Sequence, residues 1–204
     1  MSTHDWPFNI QLLATRGTVG TATISDFTLS EEQAKLHNLR EALHYSNRRV
    51  HPGTYTRLNI KGQGLVMSST PAEVGDAFGF MCDAHGRVLI MGLGLGVVVQ
   101  GLMERSPSKW VKPVSHIMVV ELNPDVISLV GPPLLERYAE QLTIIQADAL
   151  EWNPRGITFD CAWFDIWQDI CGDNKPEYMK LFRRWGRRVK MKQAWMKQVV
   201  YEDA

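Results

Sequence analysis

Short apolar runs separated by polar turns occupy the second half of the chain and predict buried strands. Four such runs lie at Arg87–Met91, His116–Glu121, Leu142–Ala147 and Phe159–Phe164. Helical patterns lie between them, one from Gly96 to Glu104 and one over Pro124–Glu140 with a predicted break at Gly131-Pro132-Pro133. Near-continuous apolar strands that alternate with helices predict a parallel sheet covered by helices on both faces.

The pattern before Arg87 is of another kind. Ser30 to Val50 has helical spacing, with Ser30 as N-cap and with four apolar residues near one face, namely Leu36, Leu39, Leu43 and Val50. Tyr55 to Met67 predicts a hairpin that turns at Gly62–Gly64, and a further helix is predicted from Thr70 to Gly86. Residues 1–29 predict either short strands or a loosely ordered arm. We therefore expect an N-terminal helix and hairpin extension at 1–86 and an α/β domain at 87–204.

The last segment, from Lys175 to about Val200, is predicted to be one long helix. Its apolar stripe comprises Tyr178, Leu181, Phe182, Trp185, Val189 and Met196. The sheet would then be shortened after its fourth strand, and an uncovered edge favours a homo-oligomer. The helix is also basic, with Arg183, Arg184, Arg187, Arg188, Lys190, Lys192 and Lys197. A solvated face explains that charge, and a nucleic-acid contact with Trp185 and Trp195 stacking on bases is the alternative.

Composition narrows the class of protein. The 204 residues carry 22 basic and 22 acidic side chains, so no overall charge attracts nucleic acid or a membrane. No apolar run approaches the roughly 18 residues of a membrane span, and the N-terminus has no signal-peptide pattern. With only three cysteines, we expect a cytoplasmic protein. The six histidines form no metal-ligand pattern with nearby cysteines or acids, so we expect no metal.

The stretch VLIMGLGLGVVV, Val88 to Val99, joins a predicted strand to a predicted helix through glycines. Such a turn lets a ligand approach the backbone, and tight packing of strand against helix is the other interpretation. Gly92, Gly94 and Gly96 give the spacing G-x-G-x-G rather than G-x-G-x-x-G. The spacing therefore disfavours a dinucleotide such as NAD or FAD.

Carboxylates follow at the ends of the next two predicted strands. Glu121 ends the second strand, where it can accept two hydrogen bonds from a ribose diol. Asp148 ends the third, where it can accept a bond from an adenine amino group with the backbone of Ala149 nearby. A strand-end charge without a ligand is the alternative interpretation for Glu121.

This succession resembles the class I S-adenosylmethionine-dependent methyltransferase fold, and within it the spermidine synthase-like branch. Ile90 before the first glycine and the segment VVELNPDVI carry the second likeness, and the resemblance covers about Arg87 to Asp169. It implies a Rossmann-like fold that binds S-adenosylmethionine or its decarboxylated form. The three glycines would pack against the methionine part, Glu121 would hold the ribose and Asp148 the adenine. Leu95 stands where aminopropyltransferases often carry an acidic residue.

The fourth predicted strand ends in Asp165, followed by Trp167 and Asp169. Ligands of open parallel sheets bind outside these carboxyl ends, so Asp165 and Asp169 are candidate catalytic residues. Methyl transfer is an in-line displacement, in which a carboxylate can orient an amine or accept its proton. Either aspartate can instead cap backbone N–H groups in the loop.

Three functions remain open from the sequence. The first is an S-adenosylmethionine-dependent methyltransferase that acts on an unidentified acceptor, most simply a small molecule. The second is an aminopropyltransferase that uses decarboxylated S-adenosylmethionine. The third is a non-catalytic domain that keeps the fold for binding or assembly.

Overall fold

A computed structural model describes residues 7, 10–43, 48–105, 112–169 and 171–196. The first half holds strands β1 (Gly17–Val19) and β2 (Ala22–Leu29), helix α1 (Glu31–Leu43), strands β3 (Gly53–Ile60) and β4 (Gly64–Ser68), and helices α2 (Pro71–Asp76) and α3 (Phe78–Asp83). The second half holds β5 (Gly86–Met91), α4 (Val97–Glu104), β6 (Val114–Glu121), α5 (Pro124–Tyr138), β7 (Leu142–Gln146), β8 (Phe159–Phe164), α6 (Lys175–Arg184) and β9 (Val189–Ala194).

The first sheet is antiparallel, with four strands in the order β1-β2-β3-β4. The predicted hairpin is confirmed as β3 and β4, and its register shifts between Leu58 and Asn59. Residues 17–29, predicted as short strands or an arm, form β1 and β2. The predicted helix after Thr70 is two short helices instead, because the chain turns at Ala77, which ends α2 and begins α3.

Helix α1 begins as the sequence predicts. Ser30 Oγ accepts a hydrogen bond from Gln33 N, and Ser30 N donates to Gln33 Oε1, which is a reciprocal capping arrangement. The three leucines of the apolar face noted in the sequence do not pack into the core, however. Leu36, Leu39 and Leu43 are 50%, 59% and 71% exposed, whereas Ala34 is the residue that packs inward. The buried side of the helix carries a small side chain, Ala34, which packs against Val50 and Ala72.

The second sheet is parallel throughout, in the order β7-β6-β5-β8-β9. All four predicted strands are present, and the α/β Rossmann-like architecture is confirmed. Since the strands are parallel, their carboxyl ends meet at one edge of the sheet. The order places β5 and its glycine turn between the tips of β6 and β8.

The predicted long C-terminal helix is wrong. Helix α6 ends at Arg184, and the chain returns as β9, a fifth strand parallel to β8. Trp185 is the C-cap of the helix, fully buried against Trp152 and Phe159, and Gly186 follows it. The sheet is therefore not shortened after its fourth strand, and the edge beside β8 is covered by β9. Residues beyond Met196 lie outside the described part of the chain.

Helix α5 is continuous, so the predicted break at Gly131-Pro132-Pro133 is also wrong. Packing holds this helix through its two prolines. Val130 and Leu134, on either side of them, are fully buried against the sheet. Tertiary contacts thus offset the missing N–H groups that make proline unfavourable inside a helix.

The two faces of the parallel sheet carry separate cores. Val88 and Ile90 of β5 pack with α3, α4 and α5 on one face, and the alternate residues Leu89 and Met91 pack with α6 on the other. The first core continues into the antiparallel sheet through Ile24 and Leu58. The boundary between 86 and 87 stays a prediction, since this core is shared across it.

Hydrogen bonds add to that shared core. Thr21, in the turn between β1 and β2, donates through its N–H and its hydroxyl to Asp125 Oδ2 in the first turn of α5. Thr15 N donates to Leu129 O of the same helix. The antiparallel sheet is thereby fixed beside the carboxyl edge of the parallel sheet. In the described segments, no helix has the length and apolar character needed to cross a membrane.

Candidate ligand-binding site

A cavity of about 690 Å³ opens at the carboxyl edge of the parallel sheet. Its volume lies within the range of small-molecule and cofactor sites, about 300–1,000 Å³. The ends of β5, β6, β7 and β8 form its floor, and β3 and β4 of the antiparallel sheet form its roof. The residues predicted to bind a ligand that line it are Gly92, Gly94, Glu121, Asp148, Ala149 and Asp165.

The glycine turn has a backbone that only glycine adopts readily. Gly92, Gly94 and Gly96 have φ angles of +95°, +51° and +77°. A side chain on Gly92 would collide with the carbonyl oxygen of Asp165. The turn after β5 is therefore packed directly against the end of β8. The same turn also lines the cavity, so tight packing and an accessible backbone are both present.

Gly96 has a different position from the other two glycines. It does not line the cavity, and a side chain there would meet Leu134 and Val130 of α5 at 2.9 and 3.2 Å. It is the N-cap of α4. Its place beside a ligand stays a prediction, while its packing against α5 is observed.

Glu121 lies at the tip of β6, beside the glycine turn as expected. Its Oε2 accepts a hydrogen bond from Leu93 N and its Oε1 accepts one from Asn123 N, both at 2.8 Å. The carboxylate is held in one orientation by these bonds. Each oxygen keeps a further lone pair for a donor in the cavity.

Asp148 and Ala149 follow β7. Asp148 Oδ1 accepts a hydrogen bond from Leu150 N at 2.7 Å, and the residue is otherwise exposed. Ala149 is buried. Asp148 lines the cavity two strands away from the glycine turn, and its second oxygen, Oδ2, has no partner in the described segments.

Asp165 follows β8 on the opposite side of the glycine turn. Trp163 Nε1 donates to its Oδ2 at 3.4 Å, and Oδ1 has no partner in the described segments. Burial raises the pKa of this carboxyl to about 7, and the nearby charges of Asp76 and Glu73 act in the same direction. A carboxyl with this pKa can take up or release a proton near neutral pH.

Two further carboxylates in the cavity wall were not found from the sequence. Glu73 of α2 accepts hydrogen bonds from Ser68 N and Ser68 Oγ, and burial raises its pKa. Glu177 of α6 accepts one from Trp167 Nε1 at 2.7 Å. With Glu121, Asp148 and Asp165, five carboxylates line the cavity. Among its described lining residues there is no lysine, arginine or histidine.

Asp169 is not brought into the cavity. It is exposed in the loop after β8, and its backbone oxygen accepts a hydrogen bond from Asn174 Nδ2. Trp167, in contrast, lines the cavity and stacks on Tyr178 with ring centroids 3.6 Å apart. A catalytic role for Asp169 stays a prediction that this placement does not favour.

The basic residues near the C-terminus bind mostly to their own chain. Arg184 donates to the carbonyls of Ala149 and Trp152, and Arg188 donates to Pro154 O and Asn153 Oδ1. Trp185 is fully buried, and so not placed to stack on bases. Trp195 lines the cavity, and its Nε1 donates to Asp76 Oδ2. Arg183 and Arg187 remain exposed, and a nucleic-acid contact through them stays a prediction.

The described residues form no cluster of metal-ligating side chains. In those segments no group of three or more histidine, cysteine, aspartate or glutamate side chains is arranged to hold a metal ion. The three cysteines are free thiols.

No family model and no curated protein matches this chain. Solved structures do. TrmN from Thermus thermophilus matches at 15% identity over 66% of this chain and 41% of its own, with a TM-score of 0.47. A proposed RNA methyltransferase from Pyrococcus horikoshii matches at 14% over 63% and 59%, with a TM-score of 0.43. An S-adenosylmethionine-dependent methyltransferase from Clostridium acetobutylicum matches at 13% over 57% and 45%, with a TM-score of 0.41. This chain thus spans about two fifths to three fifths of these proteins.

Proposed function

We propose that the chain is an S-adenosylmethionine-dependent methyltransferase. One observation carries the proposal: four neighbouring strand ends present the groups of an adenosyl site in spatial order along one cavity. Asp148 follows β7, Glu121 ends β6, the glycine turn follows β5, and Asp165 follows β8. Adjacent strands lie about 4.8 Å apart, so an extended ligand can cross three of them.

Each position suits one part of such a ligand. Asp148 and the backbone at Ala149 would contact an adenine, since both residues line the cavity after β7. Glu121, held by two backbone donors, is placed for the ribose hydroxyls. The absence of side chains at Gly92 and Gly94 leaves room beside the turn for the sulfonium part. The cavity volume agrees with a ligand of this size.

The cofactor supplies an electrophilic methyl carbon on a sulfonium, and Asp165 is the residue placed to handle the proton of the acceptor. Asp165 lines the cavity, and its Oδ1 has no partner in the described segments. With such a cofactor bound, Asp165 would accept the proton that the acceptor releases on methylation. Trp163 Nε1 holds the other oxygen and so orients the carboxylate.

Calorimetric titration with S-adenosylmethionine and with S-adenosylhomocysteine tests the proposal. We expect both to bind the native chain in the micromolar range and to bind Glu121→Ala much more weakly. Glu140→Ala is the matched control, because Glu140 is an exposed acid outside the cavity. Failure of both ligands to bind at millimolar concentration would overturn the proposed function.

A second candidate is aminopropyl transfer from decarboxylated S-adenosylmethionine. The cavity wall has five carboxylates and, among its described residues, no basic side chain to receive the carboxylate of a methionine group. That composition favours a ligand with amino groups only, and an amine acceptor. The spermidine synthase-like likeness of the sequence points the same way.

The products distinguish the two candidates. With S-adenosylmethionine and an acceptor, methyl transfer releases S-adenosylhomocysteine. With decarboxylated S-adenosylmethionine and a polyamine, aminopropyl transfer releases 5′-methylthioadenosine. Chromatography of the nucleoside products with each donor identifies the reaction, and release of neither from a chain that binds both donors supports the non-catalytic alternative.

A further inference from the structure

Met67, on β4, covers the glycine turn from above. Leu95 N donates a hydrogen bond to Met67 Sδ at 3.3 Å. The same sulfur would lie only 2.5 Å from a side-chain carbon built on Gly94. The thioether thus lies against Gly94, the part of the turn where a side chain is missing.

The N–H groups of the turn are almost all in use. Gly92 N donates to Val120 O, Leu93 N to Glu121 Oε2 and Gly96 N to Leu93 O. Leu95 N donates to Met67, so that only Gly94 N has no acceptor in the described segments. Of the four acceptors, a thioether sulfur is the weakest. After the free Gly94 N–H, the Leu95 N–H is therefore the donor that a negatively charged ligand group most easily gains.

The sheet order tells which part of a ligand reaches Met67. A ligand with its adenine beyond β7 and its ribose at Glu121 extends its 5′ substituent toward the next strand, β5. The turn after β5 is where Met67 lies. An adenosyl ligand with an amino-acid tail meets the thioether, and one that ends shortly after its sulfur does not.

The roof that carries Met67 is tied down at its tip. Gln168 Nε2, in the loop after β8, donates to Gln63 Oε1 in the turn between β3 and β4 at 2.6 Å. Val66 and Met67 also pack against the core that the two sheets share. The thioether is therefore held over the turn by the hairpin and is not a loose surface side chain.

We propose that Met67 is a specificity-determining residue, which lowers the affinity of the site for adenosyl ligands with an amino-acid tail relative to ligands with a short tail. This inference rests on the proposed function, since it assumes that an adenosyl group occupies the cavity. The bulk of Met67 occupies the place of the tail, and its sulfur occupies the Leu95 N–H that the tail carboxylate would use. Leu95 itself is fully buried, so its side chain does not take part.

Two probes test this, S-adenosylhomocysteine with its amino-acid tail and 5′-methylthioadenosine without it. Met67→Ala opens the turn and frees the Leu95 N–H. We expect the dissociation constant of S-adenosylhomocysteine to fall about tenfold, as for one hydrogen bond to a charged group, and that of 5′-methylthioadenosine to change less than about twofold. Met67→Leu keeps the bulk but frees the Leu95 N–H, so its ratio of the two constants should lie between those of the native chain and of Met67→Ala.

Val66→Ala is the control for a general loosening of the roof, because Val66 lines the same cavity from the same strand. It should change the two dissociation constants by similar factors. An unchanged ratio in Met67→Ala, or an equal change of ratio in Val66→Ala, would overturn the inference while leaving the proposed function in place. Binding of neither probe to the native chain or to any variant would overturn both.

Discussion

Glu121 Oε2 accepts a hydrogen bond from Leu93 N at 2.8 Å and so ties the tip of β6 to the glycine turn of β5. The carboxylate that is proposed to bind the ribose is therefore also part of the turn beside which the ribose would lie. Any change at Glu121 acts on the ligand contact and on the turn together.

Replacing Glu121 by Gln separates those two effects in part. A glutamine keeps one oxygen acceptor for Leu93 N or Asn123 N, but its NH₂ group faces the other donor. We expect adenosyl ligands to bind about 10–100-fold more weakly, in line with loss of a hydrogen bond to a charged group. Calorimetry with S-adenosylhomocysteine measures this, and affinity within twofold of the native value would contradict the role of Glu121.

Gly92→Ala should be far more destabilising than other glycine substitutions. Its φ of +95° strains an alanine, and the added carbon would collide with the Asp165 carbonyl. Gly62 is the control, because its φ of +86° is similar but a side chain there meets nothing within 4 Å. We expect Gly62→Ala to cost about 1 kcal/mol of unfolding free energy, and Gly92→Ala to cost at least about twice that. Urea unfolding of both variants compares them, and equal losses would show that the contact with Asp165 is unimportant.

The sequence predicts β5 to β8 well because they contain near-continuous apolar runs, and β5 and β8 are buried on both faces. It does not predict β9, where Lys190 and Lys192 alternate with half-buried residues at the sheet edge. The apolar stripe at Tyr178, Leu181 and Trp185 has true helical spacing, and Val189 and Met196 continue it past the end of α6. Gly186, directly after the C-cap Trp185, is the local signal for that end, and the continuing apolar spacing obscures it.

The site shows the same division between local and long-range information. Glu121, Asp148 and Asp165 could be placed because each directly follows a recognisable strand. Met67 and Glu73 could not, because they reach the cavity from elements that pack over the sheet from the other half of the chain. Such contacts depend on how the two sheets pack against each other. The hydrophobic periodicity of the sequence does not determine that packing.

Asp165→Asn should stabilise the chain at high pH. The pKa of Asp165 is raised from 3.8 to about 7, so between these values the folded chain binds more protons than the unfolded chain. Its contribution to stability therefore falls as the pH rises through that window. The asparagine side chain does not titrate, so the stability of that variant does not fall in this way. At pH 8 we expect its free energy of unfolding to exceed that of the native chain by up to ~4 kcal/mol, with little difference near pH 4.

Urea unfolding at pH 4, 6 and 8 measures that difference. Asp169→Asn is the control, since Asp169 is an exposed residue of the same loop, and we expect it to change stability by less than about 0.5 kcal/mol at every pH. A pH-independent effect of Asp165→Asn would show that the carboxyl does not titrate near neutrality. In a transfer assay with an identified acceptor, the native rate should rise through about pH 7 and the variant should lose most activity.

Arg105 holds the end of α3 beside β5. Its Nη1 donates to the carbonyls of Met81 and Cys82, and its Nη2 donates to those of Ala84 and Lys112, at 2.6 to 3.3 Å. Arg105→Met keeps the apolar stem and leaves these carbonyls without a donor. We expect a loss of about 3 kcal/mol of unfolding free energy, because partly buried acceptors become unsatisfied.

Arg137→Met is the matched control for removing a charge from the same face of the molecule. The Arg137 side chain is 59% exposed, and its ion pair with Glu104 is long, at 3.7 Å. Exposed pairs of this kind contribute about 1 kcal/mol or less, so Arg137→Met should be nearly neutral. Because Ala84 lies just before β5 and Lys112 just before β6, loss of Arg105 should also weaken adenosyl binding at the far ends of those strands, whereas Arg137→Met should leave binding unchanged. Equal stability of the two variants in urea would show that the four carbonyl contacts contribute nothing beyond a surface charge.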